Sequence, residues 1–137
     1  MEVLRLLATG EFVEYQGKHI SFPRIKMRPA PGQSVPIYIC GVSDAAIDRA
    51  ARLGDGLVGM PSSIDEFGAV VARTEQRRQE LGRDHEPFDY VAITGPGNYD
   101  DFRRLEDLGA TGAYVTAGAS SPDGLKRFVD EIAVRFR

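Results

Sequence analysis

Apolar positions along this chain follow two different periods, and the change between them divides it. Near the start, Val3, Leu4, Leu6 and Leu7 form a helical stripe that Gly10 ends. Residues 12–15 then alternate, and residues 18–22 form a second strand-like run. With Gln16-Gly17 between them, the two predict a small β-hairpin. Residues 23–36 hold four prolines and are expected to be extended and irregular.

From Val35 onward, short apolar runs alternate with amphipathic stretches. Ile37-Tyr38-Ile39-Cys40 reads as a strand, followed by a helix that starts near Ser43-Asp44 and turns Ala46, Ile47, Ala50 and Leu53 inward. Leu57-Val58-Gly59-Met60 reads as a second strand. Ser63-Ile64-Asp65-Glu66 matches a capping box, with serine at the N-cap and glutamate three residues on, and opens a helix reaching Leu81-Gly82. A third strand at residues 90–94 precedes a Gly95-Pro96-Gly97-Asn98 turn and a helix ending at Leu108-Gly109. A fourth at residues 113–116 leads to a last helix, where Leu125, Phe128, Val129, Ile132 and Phe136 form a stripe expected to face the core. Strands alternating with helices predict βα units on a parallel sheet. A weak repeat supports this: Leu53-Gly54-Asp55-Gly56 and Leu108-Gly109-Ala110-Thr111 both pass from a helix end into a short strand and on to paired serines. The whole chain is expected to be a single domain, with residues 1–34 as helix end, hairpin and Pro-rich segment and residues 35–137 as the βα units.

Composition narrows the functional classes. A chain of 137 residues with 42% apolar and 27% charged residues has the makeup of an ordinary globular domain. A net charge of -3 argues against a nucleic-acid surface. Arg73, Arg77 and Arg78, interleaved with Glu75 and Glu80, read as a solvated helix face. The single cysteine excludes an internal disulfide, no apolar run approaches a membrane span, and the first residues do not read as a signal peptide. A cytoplasmic protein without membrane or nucleic-acid partners is expected.

In parallel α/β folds ligands sit in the loops after the strands. Those loops here are Gly41-Val42-Ser43, Pro61-Ser62-Ser63, Gly95-Pro96-Gly97-Asn98 and residues 117–121, which include Gly118 and Ser120. Backbone N–H groups at a helix start, beside serine and glycine, suit an anion such as phosphate. The same residues are also the ordinary makers of turns and caps. His19 and His85 read as surface residues, and Cys40 as a small buried hydrophobe at a strand end. Asp84, His85 and Glu86 lie too close together for a zinc site. Residue chemistry alone names no reaction.

One segment carries more. Pro36-Ile37-Tyr38-Ile39-Cys40-Gly41-Val42-Ser43-Asp44-Ala45-Ala46, followed by Arg49-Ala50-Ala51-Arg52-Leu53-Gly54-Asp55-Gly56, resembles the luciferase-like monooxygenase family, and especially its deazaflavin-dependent branch. Glu14-Tyr15-Gln16-Gly17-Lys18-His19-Ile20-Ser21-Phe22, the Pro-rich stretch and the final strand and helix also resemble it. Cys40 stands where the family has the first of two glycines, and Leu57 where it has an aromatic residue after Asp-Gly. The resemblance implies half of a (βα)8 TIM-type barrel, its last four strands, with the hairpin as an insertion. It implies an oxidoreductase holding FMN or a deazaflavin coenzyme and acting on a small organic substrate. Gly41, Val42, Ser43, Met60 and Ser62 would contact the cofactor, with Gly118 and Ser120 as outer candidates. The half of the barrel carrying most acid–base residues has no counterpart here, so no catalytic residue is assigned. A homo-oligomer or a complementary half-barrel chain is therefore expected. The alternatives are a truncated paralogue that folds and oligomerises without cofactor, and a small doubly wound binding module.

Overall fold

The switch in periodicity is also where the structure divides, into one unit of residues 1–37 and another of residues 38–137. The computed structural model describes residues 1–95, 99–116 and 121–135, with side chains through residue 131.

In the first unit, helix α1 (Glu2–Ala8) precedes an antiparallel hairpin of β1 (Phe12–Gln16) and β2 (Ser21–Lys26). The expected helix is present, and none of its apolar residues is buried. The second hairpin strand begins later than expected. Gly17 N–H donates to Ile20 O across the turn at 2.9 Å, so residues 18–20 form the turn, and β2 runs on through Pro23. Each strand of a two-stranded ribbon has an unpaired side, so a residue without an N–H costs little there. Tyr15 stacks on Phe22 with ring centroids 5.9 Å apart, and the Tyr15 hydroxyl donates to Glu2 Oε2 at 3.2 Å.

The second unit holds a parallel sheet of four strands in order β3 (Tyr38–Cys40), β4 (Gly56–Gly59), β5 (Asp89–Thr94) and β6 (Gly112–Val115). Helices α2 (Asp44–Leu53), α3 (Ile64–Glu80) and α4 (Tyr99–Asp107) connect them, and α5 (Pro122–Arg135) follows. The expected parallel βα architecture is the observed one. Register pairs Ile39 with Leu57 and Leu57 with Tyr90, which sets these side chains on one face. All three are buried there with Ala92, as are Ala46, Ile47, Ala50 and Ala51 of α2 and Phe67 and Val70 of α3. Each fully buried large side chain, such as Leu57 or Phe67, contributes roughly 1.5–3 kcal/mol. On α2, Ala51 takes the place expected of Leu53, which is exposed.

The opposite face carries Tyr38, Cys40, Val58, Val91, Ile93 and Tyr114, and at the β6 edge Tyr114 is 66% exposed. Cys40 is exposed on this face rather than buried. Gly56 lies between Tyr38 and Asp89 in the register, and the Tyr38 hydroxyl donates to the Asp89 carboxylate across it. A Cβ at Gly56 would meet Tyr38 Cδ1 at 2.8 Å, so glycine leaves the room that lets the tyrosine lie over the sheet. The expected core stripe of α5 is not buried: Leu125 and Val129 are 49% and 52% exposed, while Ile132 and Phe136 lie outside the described side chains.

Arg78 departs furthest from its expected place. It is 3% exposed. Its NH1 donates to Glu75 Oε1 at 2.8 Å, and its NH2 to the carbonyls of Arg83 at 2.8 Å and Glu86 at 2.5 Å. The guanidinium lies over the Phe88 ring at 4.4 Å. Tyr90 donates its hydroxyl to the same Glu75 oxygen at 2.6 Å, and burial together with that carboxylate pushes its phenol up. Helix α3 is thereby fastened to the turn that delivers the chain into β5. Arg78→Ala removes a buried cation and strands two carbonyls, so unfolding in urea should show a loss of about 3 kcal/mol. A loss below about 0.5 kcal/mol, the range of ordinary surface substitutions, would contradict the assignment.

Candidate functional site at the strand ends

Because the strands run the same way, their C-terminal ends lie along one rim. On that rim a cavity of 370 Å³ is lined by Met60, Pro61, Ser62, Ser63 and Ile64 after β4, Ile93, Thr94 and Gly95 at the end of β5, Leu105 of α4, and Thr116 after β6. Its walls are chiefly apolar, with the Thr94, Ser62, Ser63 and Thr116 hydroxyl-bearing residues among them. Two of the sequence-selected residues, Met60 and Ser62, meet here. Met60 is 66% exposed, a large apolar side chain left open to a ligand or a neighbour.

The two serines are occupied differently. Ser63 Oγ accepts from Glu66 N–H at 3.1 Å, and Ser62 N–H donates to Glu66 Oε2 at 2.5 Å. This capping box satisfies the start of α3 and sets a carboxylate beside it, which disfavours an anion at that helix end. The Ser62 N–H is therefore used by the fold.

Gly41, Val42 and Ser43 lie at the end of the neighbouring strand and do not line that cavity. Gly41 N–H donates to Val58 O at 2.9 Å and so extends the β3–β4 ladder by one bond. Ser43 caps α2: its carbonyl accepts from Ala46 N–H and Ile47 N–H at 2.9 Å, and its Oγ accepts from Ala46 N–H at 3.3 Å. Val42 turns toward the helix layer, since a Cβ at Gly59 would meet Val42 Cγ1 at 3.5 Å and Phe67 Cδ2 at 3.6 Å. The Val42 carbonyl accepts from Arg73 NH2 at 3.2 Å.

Sequence reasoning missed Ile93, Thr94, Leu105 and Thr116. Thr94 Oγ1 is buried without a hydrogen-bond partner among the described residues, and Thr116 Oγ1 donates to Thr94 O at 3.2 Å. A threonine closing an apolar strand was the available signal, but hydroxyls are common there. Gly118 and Ser120 lie outside the described residues, as do positions 96–98 of the loop after β5. His19 and His85 are exposed, as expected.

Gly41 has φ of +130°, and a Cβ there would sit 2.9 Å from Ala46 Cβ. Gly41→Ala should therefore cost about 1–3 kcal/mol by combining backbone strain with overlap on α2. Thermal unfolding of the variant measures this; an unchanged midpoint would mean the loop is not held in the described conformation.

Comparison with known proteins supplies the family. Residues 1–96 match the luciferase-like monooxygenase family. An uncharacterised protein of Mycobacterium tuberculosis (strain H37Rv) is 39% identical over 116 residues, spanning 84% of this chain and 40% of that protein. The 5,10-methylenetetrahydromethanopterin reductase of Archaeoglobus fulgidus is 32% identical over 128 residues, spanning 93% of this chain and 38% of the reductase. The chain thus spans about 40% of the length of these curated relatives. Among solved structures, the coenzyme F420-dependent tetrahydromethanopterin reductase from Methanopyrus kandleri superposes with a TM-score of 0.77 at 16% identity, covering 99% of this chain and 61% of that one. An F420-dependent secondary alcohol dehydrogenase in complex with an F420-acetone adduct gives a TM-score of 0.79 at 13% identity, covering 99% and 59%. At such identities these structures speak to the fold, which is that of the βα units of a TIM-type barrel. With its own sequence matched over residues 1–96, the chain belongs to the luciferase-like monooxygenase family.

Proposed function

We propose that this chain works as one functional domain, the cofactor-holding part of a luciferase-like oxidoreductase, with a deazaflavin coenzyme or FMN seated on the strand-end rim. The observation that carries the reading is the rim itself. It combines an apolar cavity bounded by Met60 and Ile93, a Thr94 hydroxyl without a partner among the described residues, and a glycine at the end of β3, Gly41, packed against Ala46 of α2. A flat aromatic ring suits the apolar part. A phosphate is disfavoured at the start of α3 by the Glu66 carboxylate, whereas beside the Gly41-Val42-Ser43 loop the Asp44 carboxylate is offset by Arg73. The deazaflavin option is favoured by the two solved neighbours, both of them F420-dependent enzymes. When bound, such a coenzyme would supply hydride transfer, while the residues here would bind and orient it. Gly118 and Ser120 remain outer candidates for the same role, and the substrate is a small organic molecule.

Fluorescence titration with each coenzyme tests this. Saturable binding at micromolar concentration, weakened by Gly41→Asp, is expected. No binding of either up to about 1 mM, which corresponds to about 4 kcal/mol, would overturn it in favour of a fold retained without cofactor.

The sheet adds a partner to the reading. Among the described residues, β3 and β6 each pair on one side only, and Tyr38, Cys40 and Tyr114 on one face of the sheet are exposed. Parallel sheets are ordinarily covered on both faces and closed or protected at their edges. We therefore propose that a second copy or a complementary half-barrel chain pairs with these edges. Light scattering of the full chain at tens of micromolar should give a dimer or larger species; a monomer would contradict self-association.

A further inference from the structure

We infer that Arg73, on α3, is a positioning residue that holds the Gly41-Val42-Ser43 loop in the shape a coenzyme would meet; the assignment rests on the cofactor reading above. The loop's two ends are fixed by backbone bonds, Gly41 to β4 and Ser43 to the first turn of α2. Between them the Val42 carbonyl is held by Arg73 NH2 at 3.2 Å, across 31 residues of sequence. The same NH2 lies 3.0 Å from Asp44 Oδ1, so one guanidinium grips both the middle of the loop and the first residue of α2. The loop is thus tied to a neighbouring strand, to its own helix and to the next helix. Gly41, at φ of +130°, is a conformationally free glycine, so these ties rather than the backbone itself fix the loop's shape.

An ordinary surface ion pair would not do this, and the fold supplies the comparison. One turn further along both helices, Arg77 Nε pairs with Asp48 Oδ1 at 2.8 Å. That contact joins α2 to α3 as the Asp44–Arg73 pair does, and its guanidinium hydrogen-bonds Asp48 and Glu80 instead of the loop. Any effect of losing helix-to-helix charge should appear in both arginines. An effect through the loop should appear in Arg73 alone.

The experiment compares the full chain with Arg73→Gln, Arg73→Lys and Arg77→Gln by coenzyme fluorescence titration and by amide hydrogen exchange. Releasing the loop means that binding must reorder it, so Arg73→Gln should raise the coenzyme Kd about three- to tenfold. Amides in residues 41–44 should exchange faster in that variant. A lysine reaches one of the two acceptors, so Arg73→Lys should recover part of both effects, and Arg77→Gln should leave both as in the parent chain. Equal effects from Arg73→Gln and Arg77→Gln, or no change in the exchange of residues 41–44, would overturn the assignment. If the parent chain binds neither FMN nor the deazaflavin, the cofactor reading fails and the exchange comparison alone decides the role of Arg73.

Discussion

Parallel pairing is the constraint on which the rest of the second unit depends. Adjacent strands from Tyr38 to Val115 run in one direction, so each connection must return the chain to the same end of the sheet. The returns are helical, and they lay Ala46, Ala50, Phe67 and Val70 on the face that carries Ile39, Leu57, Tyr90 and Ala92. That single packing accounts for much of the buried core. It also brings the loop after β3, the start of α3 and the ends of β5 and β6 onto one rim. A site at the rim is thus a by-product of how the core is built, and its details depend on which loop groups the fold leaves unused.

Use and availability separate sharply at that rim. Ser62 and Ser63 both stand at a helix start, yet the Glu66 capping box consumes the N–H of one and the hydroxyl of the other. Ser43 is likewise a cap. What the fold leaves unused is the apolar surface at Met60 and Ile93 and, among the described residues, the buried Thr94 hydroxyl. Serine and glycine in such loops therefore serve the fold first, and exposed methionine says more about a ligand.

The βα grammar was legible because each helix is bounded by signals of its own. Ser63 acts as the N-cap its spacing predicts, Ser43 caps the helix expected to start there, and Gly54 closes α2 through its N–H to Ala50 O at 2.9 Å. Family membership was legible from residues 36–56, which fall within the matched span of residues 1–96. Illegible were properties that depend on partners distant in sequence. Arg78 reads as a solvated arginine until the turn carrying the Arg83 and Glu86 carbonyls folds back over it. Cys40 reads as buried until the register sets it on the face opposite Ile39 and Leu57, where it is exposed. The stripe of α5 has the spacing of a core helix, yet Leu125 and Val129 stay exposed, because periodicity states which side of a helix is apolar and not whether anything covers it. Thr94 entered the site only through the convergence of the ends of β4, β5 and β6.

The strand-end rim, and no other surface, is proposed to receive the coenzyme. Amide hydrogen exchange of the full chain with and without saturating deazaflavin maps this directly. The account predicts slower exchange in residues 41–44 and 60–64 and at the end of β5, with the opposite ends of the strands unchanged. Protection confined to the N-terminal ends of the strands, or to residues 1–37, would contradict it.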